Sequence, residues 1–261
     1  MKNLDKILLI DGDLFLFQIT SAQEQALPLS EDLVVLAGNP SKCKAMFWDR
    51  LHEIQDTLGT DRSVFAFSCP TRRYFRHDIL PTYKANRTGS RKPLVYGIMR
   101  EWVEQEFQGD CYTRHGLEGD DVLGILSTHP TLLGENPKVI VSGDKDMKQV
   151  PGEFYHTGDG VLRTITVGEA DRAFYKQVLS GDATDGYEGC PGVGPVGATK
   201  ILDKCATEGG REWDAIVAAY EKAGLNEHVA LQQARVARIL RAEDYDFKRK
   251  EPKLWVPPSD R

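Results

Sequence analysis

Four short apolar runs constrain this chain more than any other feature. Lys6-Ile7-Leu8-Leu9-Ile10, Ser63-Val64-Phe65-Ala66-Phe67, Cys111-Tyr112-Thr113 and Lys138-Val139-Ile140-Val141-Ser142 are each of strand length. Continuous apolar character, without alternation, is what a strand covered on both faces requires. Stretches with helical spacing separate the runs, so the pattern predicts an α/β fold with a doubly wound, mostly parallel sheet. Between the first two, Cys43, Met46, Phe47, Leu51, Ile54 and Leu58 recur at three- and four-residue steps behind a candidate cap at Ser41, which predicts one amphipathic helix. A second is expected over 94–107, opened by Pro93 and turning Ile98, Trp102, Val103 and Phe107 to the core. Glu153-Phe154-Tyr155 and the run from Val161 to Thr166, joined through Gly158-Asp159-Gly160, read as a hairpin. Everything after Val167 is helix or loop, with Trp213, Ile216, Val217, Tyr220, Val229, Val236, Ile239 and Leu240 at core spacing. The boundary is placed there: an α/β domain over 1–167 and a helical region over 168–261, with a loose tail from Pro257.

No apolar run approaches the roughly 20 residues of a membrane span, and Met1-Lys2-Asn3-Leu4-Asp5 lacks the apolar stretch of a secretory signal. A cytoplasmic location is expected, the host cytoplasm if the chain is viral. The five cysteines are odd in number and never in a CxxC pattern, which predicts reduced, mostly buried thiols. A net charge of −6 and pI of about 5.6 argue on their own against a nucleic-acid partner. The distribution argues the other way: residues 62–100 hold nine Lys or Arg against one acid, Asp78. A basic face for a polyanion and a separate concentration of acids is the arrangement this implies.

Ligands of open α/β sheets bind beyond the carboxyl ends of the strands. Asp11 with Asp13, Glu118-Gly119-Asp120-Asp121, and Asp144-Lys145-Asp146 fall at or just after such ends. Past the boundary, Asp182 and Asp185 have the i, i+3 spacing that lets two carboxylates share a helical face. Nine acids on one rim would repel one another and take up protons unless cations neutralised them. No matching His/Cys set accompanies them, so oxygen-loving Mg²⁺ or Mn²⁺ suits the site better than zinc. Two ions about 4 Å apart can activate water, orient a phosphate and stabilise a departing oxygen. Asp13 is the weakest member and is open to a plain helix-capping role.

Read together, these motifs resemble the flap endonuclease/5′-nuclease superfamily, and most closely the bacteriophage 5′-to-3′ exonucleases. The resemblance rests on Ile10-Asp11-Gly12-Asp13, Tyr83-Lys84-Ala85-Asn86-Arg87, Leu117-Glu118-Gly119-Asp120-Asp121, Ser142-Gly143-Asp144-Lys145-Asp146, and Gly181-Asp182-Ala183-Thr184-Asp185-Gly186 with Gly189-Cys190-Pro191-Gly192-Val193-Gly194. It implies a PIN-like core, a helical arch around 84–105, and a C-terminal helix-three-turn-helix that grips duplex DNA. Asp11, Glu118, Asp120 and Asp121 would serve a first Mg²⁺ or Mn²⁺, and Asp144, Asp146, Asp182 and Asp185 a second. Lys84 and Arg87 would be the catalytic basic pair, and a point charge beside a planar fork is suited to a scissile phosphate. A K⁺ at the helix-three-turn-helix is also implied. One position departs: where the family carries a further acid after its second strand, this chain reads Phe67-Ser68-Cys69. If that position lies in the site, Cys69→Asp should tighten metal binding.

Gly192-Val193-Gly194-Pro195-Val196-Gly197 also satisfies the dinucleotide pattern GxGxxG. No strand precedes it, so it reads as a turn opening a helix at Pro195, whose backbone amides approach a phosphate with help from Lys200. Tyr83 and the run Arg72-Arg73-Tyr74-Phe75-Arg76 are further candidates for nucleic-acid contact. Tyr74 and Phe75 are equally suited to stacking on an end nucleotide or to burial. The basic link 88–92 is expected to lack order without DNA. The expected partner is DNA with a 5′ end, flap or nick, or an RNA primer in a hybrid. The rival readings are a PIN-type ribonuclease and a catalytically weakened DNA-binding homologue.

Overall fold

A computed structural model of the chain describes residues 6–30, 33–87, 89 and 91–258. The expectations for residues 1–5 and 259–261 lie outside that range. All four apolar runs are strands: β1 (Ile7–Asp11), β4 (Ser63–Phe67), β5 (Cys111–Thr113) and β6 (Lys138–Ser142). The hairpin expected after residue 152 forms as β7 (Gly152–His156) and β8 (Val161–Ile165). It also extends the main sheet, because β7 pairs in parallel with β6 while β8 returns antiparallel at the edge. The order β5-β4-β1-β6-β7-β8 makes β1 the central strand, where the winding direction reverses.

Ile7 and Leu9 enter one core and Leu8 and Ile10 the other, as the two-residue period of a doubly covered strand demands. On one face lie α1 (Gly12–Gln23), α2 (Pro40–Leu58) and α4 (Tyr96–Glu106); the one-turn helix α3 (Arg76–Ile79) comes between β4 and α4 in the chain. The other carries α5 (Gly119–Thr128) together with Ile239 and Leu240 from the C-terminal region. Gly124 of α5 permits that second contact: a Cβ there would sit 2.2 Å from the Leu240 carbonyl oxygen. A third core joins α6 (Val167–Ser180), α7 (Pro195–Thr207), α8 (Glu212–Lys222) and α9 (Glu227–Ala237). Because Tyr83 enters this third core while Ile239 and Leu240 enter the first, the two regions interlock and do not separate cleanly at residue 167.

Several local expectations change. The cap of α2 is Asn39, whose side chain accepts from Lys42 N at 3.1 Å, with Pro40 following. In α4 the buried face is Tyr96, Met99 and Val103, and Ile98 points to solvent. This helix packs on the sheet and does not arch over it. Eight residues separate Arg87 from Tyr96, and among the described ones none is helical, so the helix within the segment expected as an arch, 84–105, is found in the 3₁₀ turn Ala85–Arg87 and in α4, joined by an eight-residue strap. Thr88 and Ser90 of that strap lie outside the described residues. At its far end Arg91 Nη1 donates to Glu24 at 2.9 Å, and Lys92 Nζ to Asp13 at 3.0 Å. The segment between α1 and α2 forms an unpredicted hairpin, β2 (Gln25–Ser30) and β3 (Leu33–Ala37), with Leu27, Leu29, Leu33, Val34, Val35 and Leu36 exposed. All five cysteines are free and four are buried. Among the described residues no helix is long and apolar enough to cross a membrane.

Candidate active site

Three elements end in acids at the switch point, and each end is shaped by its own local bonds. Asp11 closes β1 and caps α1, accepting from Leu14 N at 3.0 Å and from the Ser142 hydroxyl at 2.7 Å. Ser142 Oγ in turn accepts from Asp144 N at 3.0 Å, so one hydroxyl ties the ends of β1 and β6 together. Glu118 is the N-cap of α5 and Asp120 stands in its first turn, where backbone N–H groups favour anions. Asp144 opens a 3₁₀ turn, Lys145–Gln149, accepting from Asp146 N at 2.8 Å.

The fourth group arrives on a closed loop after α6. Asp182 and Tyr187 exchange backbone bonds across it, and Gly181 and Gly189 pack against each other at its neck. A Cβ on Gly189 would meet Gly181 N at 2.2 Å, and both glycines have positive φ. Asp182 and Asp185 therefore sit on a turn and not, as their spacing predicted, on one helical face. Residues 83–87 are laid along this turn: Lys84 N donates to Asp185 O at 2.8 Å, Asn86 Nδ2 to Ala183 O at 2.7 Å, and Arg87 Nε to Thr184 O at 3.2 Å.

Glu118, Asp120, Asp144, Asp146, Asp182 and Asp185 line one cavity of about 210 Å³, with Tyr83, Lys84, Arg87 and Lys145 on its walls. The Lys84 ammonium bonds Glu118 and lies 3.4 Å from Asp185 Oδ2, and Arg87 Nη2 lies 2.5 Å from Asp185 Oδ1. Lys84 adopts φ of +56°, a strained conformation for a side-chain-bearing residue, retained here by these contacts. Burial raises the Glu118 pKa, but Lys84 and Arg76 outweigh it and hold the carboxyl below its usual range. Among the described residues, Asp11, Asp120 and Asp146 have no such ion pair. Burial lifts Asp11 to about 6, with repulsion from Asp13 and Asp144 adding to it. Burial followed by Asp11, Asp144 and Glu118 drives Asp120 up, and burial with Asp144 lifts Asp146 to about 6. The electrostatic coupling brings Asp11 into the same group, although its carboxylate is not on the cavity wall.

Among the described residues no three acids close on a common point at coordination distance; they share walls, not a preformed cage. Their donor set is oxygen only, and the negative charge on Asp11, Asp120 and Asp146 is incompletely compensated from within the protein. Hard divalent cations fit both properties. A larger cavity of about 560 Å³ lies between α6 and the C-terminal segment. It holds Arg238 and Arg241, but Asp244 and Asp171 take up their charge at 2.8 and 2.7 Å, leaving no cationic surface for a polyanion.

Three predicted site residues take other roles than those expected of them. Asp121 is fully buried, and its two oxygens accept from Arg76, Glu118 N and Leu240 N; both are spent on the protein, so the metal role expected of it is not supported by this geometry. Arg76, expected on a DNA-binding surface, is 3% exposed and donates to Glu118, Asp121, Val236 O and Arg238 O. Tyr83 is buried as well, its hydroxyl 2.8 Å from Glu118 and 2.9 Å from Asp185, so it orients carboxylates and is closed to a base. Asp13 accepts from Ser68 N at 2.6 Å, from Lys92 and from Tyr96, and is not on the cavity wall. Cys69 is buried, with Sγ 3.2 Å from Thr71 Oγ1, and is not on the cavity wall. Phe75 packs on the sheet core and Tyr74 on the C-terminal core, each only partly buried.

Arg72 and Arg73 are exposed. Gly192 and Gly194 have open space where a Cβ would project, and Lys200 is exposed one turn into α7. Gln177, Gln149, Tyr187 and Lys145 also line the cavity. Only Lys145 was visible beforehand, inside the Asp144-Lys145-Asp146 motif.

The family model of the 5′-3′ exonuclease N-terminal, resolvase-like domain matches residues 6–190. An exodeoxyribonuclease of Enterobacteria phage T3 is 30% identical over 97% of this chain and 93% of its own length. An exonuclease of Escherichia phage T7 is 29% identical over 96% and 93%. The flap endonuclease of bacteriophage T5, solved with DNA and metal ions, superposes with a TM-score of 0.60 at 12% identity, covering 89% of this chain and 88% of that one, a likeness of fold. With most of its length under that model and a relative aligned nearly end to end, this chain belongs to the 5′-3′ exonuclease family, within the flap endonuclease/5′-nuclease superfamily of nucleases.

Proposed function

We propose that this chain hydrolyses DNA phosphodiester bonds at or near 5′ ends, as a 5′-to-3′ exonuclease and flap endonuclease dependent on two Mg²⁺ or Mn²⁺ ions, in DNA replication or recombination. The observation that carries the reading is a single cavity walled by six acids with Lys84 and Arg87 among them. Divalent cations, when bound there, supply charge neutralisation and activation of water for attack on phosphorus.

The protein's own residues do the rest. Asp11, Glu118 and Asp120 for one ion, and Asp144, Asp146, Asp182 and Asp185 for the other, are the carboxylates that would hold them. Lys84 and Arg87 exchange their contacts with Glu118 and Asp185 for the scissile phosphate and offset the charge that grows on it. Tyr83, whose hydroxyl stands within hydrogen-bond distance of both Glu118 and Asp185, holds them in place as they do so. The exposed turn at Gly192, Gly194 and Gly197, with Lys200, offers backbone amides at the start of α7 to a duplex backbone, without reading bases; a K⁺ between them belongs to this proposal. Arg72 and Arg73 extend the basic face. That duplex-gripping turn favours DNA over a single-stranded RNA substrate.

End-labelled duplex, nicked and flap DNA digested with Mg²⁺, Mn²⁺ or chelator tests the reading. Products with 5′ phosphates and 3′ hydroxyls, formed only with metal, are expected. Cleavage that persists in chelator, or mononucleotides released from 3′ ends alone, would overturn it.

A further inference from the structure

Two of the proposed second-site carboxylates reach the cavity from different parts of the fold. Asp146 comes from the 3₁₀ turn after β6 and Asp182 from the loop after α6. Their charges repel, and among the described residues no Lys or Arg forms an ion pair with either.

One neutral side chain stands between them. Gln177, in the last turn of α6, has its amide nitrogen 3.0 Å from Asp146 Oδ2 and 3.3 Å from Asp182 Oδ2. Its backbone carbonyl accepts from Gly181 N at 2.8 Å, so the same residue also fixes the start of the loop that carries Asp182.

The orientation of this amide is dictated by chemistry. An ionised carboxylate only accepts, so the NH₂ of Gln177 must face the two acids and its oxygen must face away. That oxygen accepts from Gln149 Nε2. Gln149 is 2% exposed, and its own Oε1 is buried without a partner. A buried carbonyl left unpaired is costly, so the relay is polarised from its carboxylate end and not by what would best satisfy Gln149.

We propose that Gln177 is a positioning residue for the second cation: its two N–H groups hold Asp146 and Asp182 as a pair, and Gln149 keeps the amide turned toward them. The inference rests on the metal-dependent reading of the cavity. Outer-shell hydrogen bonds of this kind typically change metal affinity 10–100-fold.

The test uses the full chain carrying Gln177→Met, which keeps volume but removes both donors, and Gln149→Met, which leaves the carboxylates untouched. Titration calorimetry of DNA-free protein with Mn²⁺ is the main readout, with thermal unfolding checking that each variant is folded. Gln177→Met is expected to weaken one Mn²⁺ binding event by about 10-fold or more, and Gln149→Met to weaken the same event by less. In cleavage assays, Gln177→Met should need more Mn²⁺ for half-maximal rate, approach the wild-type kcat at saturation, and keep the wild-type KM for DNA. Wild-type Mn²⁺ affinity in a folded Gln177→Met protein would overturn the proposal, as would a kcat that saturating Mn²⁺ does not restore. Failure of the wild-type protein to bind Mn²⁺ would instead overturn the reading of the cavity beneath it.

Discussion

The Arg76 guanidinium is forked around the Asp121 carboxylate, with Nη1 2.6 Å from Oδ2 and Nη2 2.8 Å from Oδ1. Its remaining N–H groups reach Glu118 and the carbonyls of Val236 and Arg238 at the end of α9. One side chain thus joins the first acidic wall of the cavity to the C-terminal helices. Removing one partner of a buried pair strands the other's charge, so Arg76→Met is expected to cost about 3–5 kcal/mol in urea unfolding. If the pair is the cause, Arg76→Met with Asp121→Leu will lose less than the two single changes summed. Strict additivity would count against it.

Lys84 and Arg87 lie at the cavity wall with their charges already aimed at Glu118 and Asp185. A donor that meets charge developing in the transition state is worth about 10²–10³ in kcat. Lys84→Ala should fall in that range while KM for a nicked duplex changes little. A raised KM with unchanged kcat would assign Lys84 to ground-state binding.

Metal and proton compete for the same oxygens. Asp11 and Asp146 have pKa values raised to about 6, above an unfolded value near 3.8. Their contribution to metal-free stability is therefore full below about pH 4 and is lost as pH rises through about 6. Mg²⁺ binds the ionised forms, so its stabilising effect runs the opposite way. Scanning calorimetry should give a Tm gain from Mg²⁺ at pH 8 larger by about 5 °C or more than at pH 5. An equal gain at both values would exclude these carboxylates as its source.

Strands at the sheet centre were legible because burial on both faces leaves unbroken apolar runs. The hairpin of β2 and β3 was not, since Pro28 speaks against a strand interior and its apolar side chains meet no core. Acids at strand ends were legible as a group, for the switch point of such a sheet is where ligands bind. Their individual directions were not. Asp120 and Asp121 are neighbours, yet successive helical residues diverge by about 100°, sending one to the cavity and the other to Arg76. Arg76 itself lay in a run of basic residues that reads as surface, and only its tertiary partners reveal otherwise. Gln177 carried no signal at all, because its role depends on two acids that the fold brings to it.

The exposed hairpin bears on how the protein behaves in the tube. Leu33, Val34, Val35 and Leu36 form an uncharged ribbon with an open edge, the kind of surface on which chains stick to one another. Concentrated preparations are expected to clump reversibly through it, and a single lysine at Val34 should keep them dispersed, seen as a smaller hydrodynamic radius in light scattering at unchanged nuclease rate.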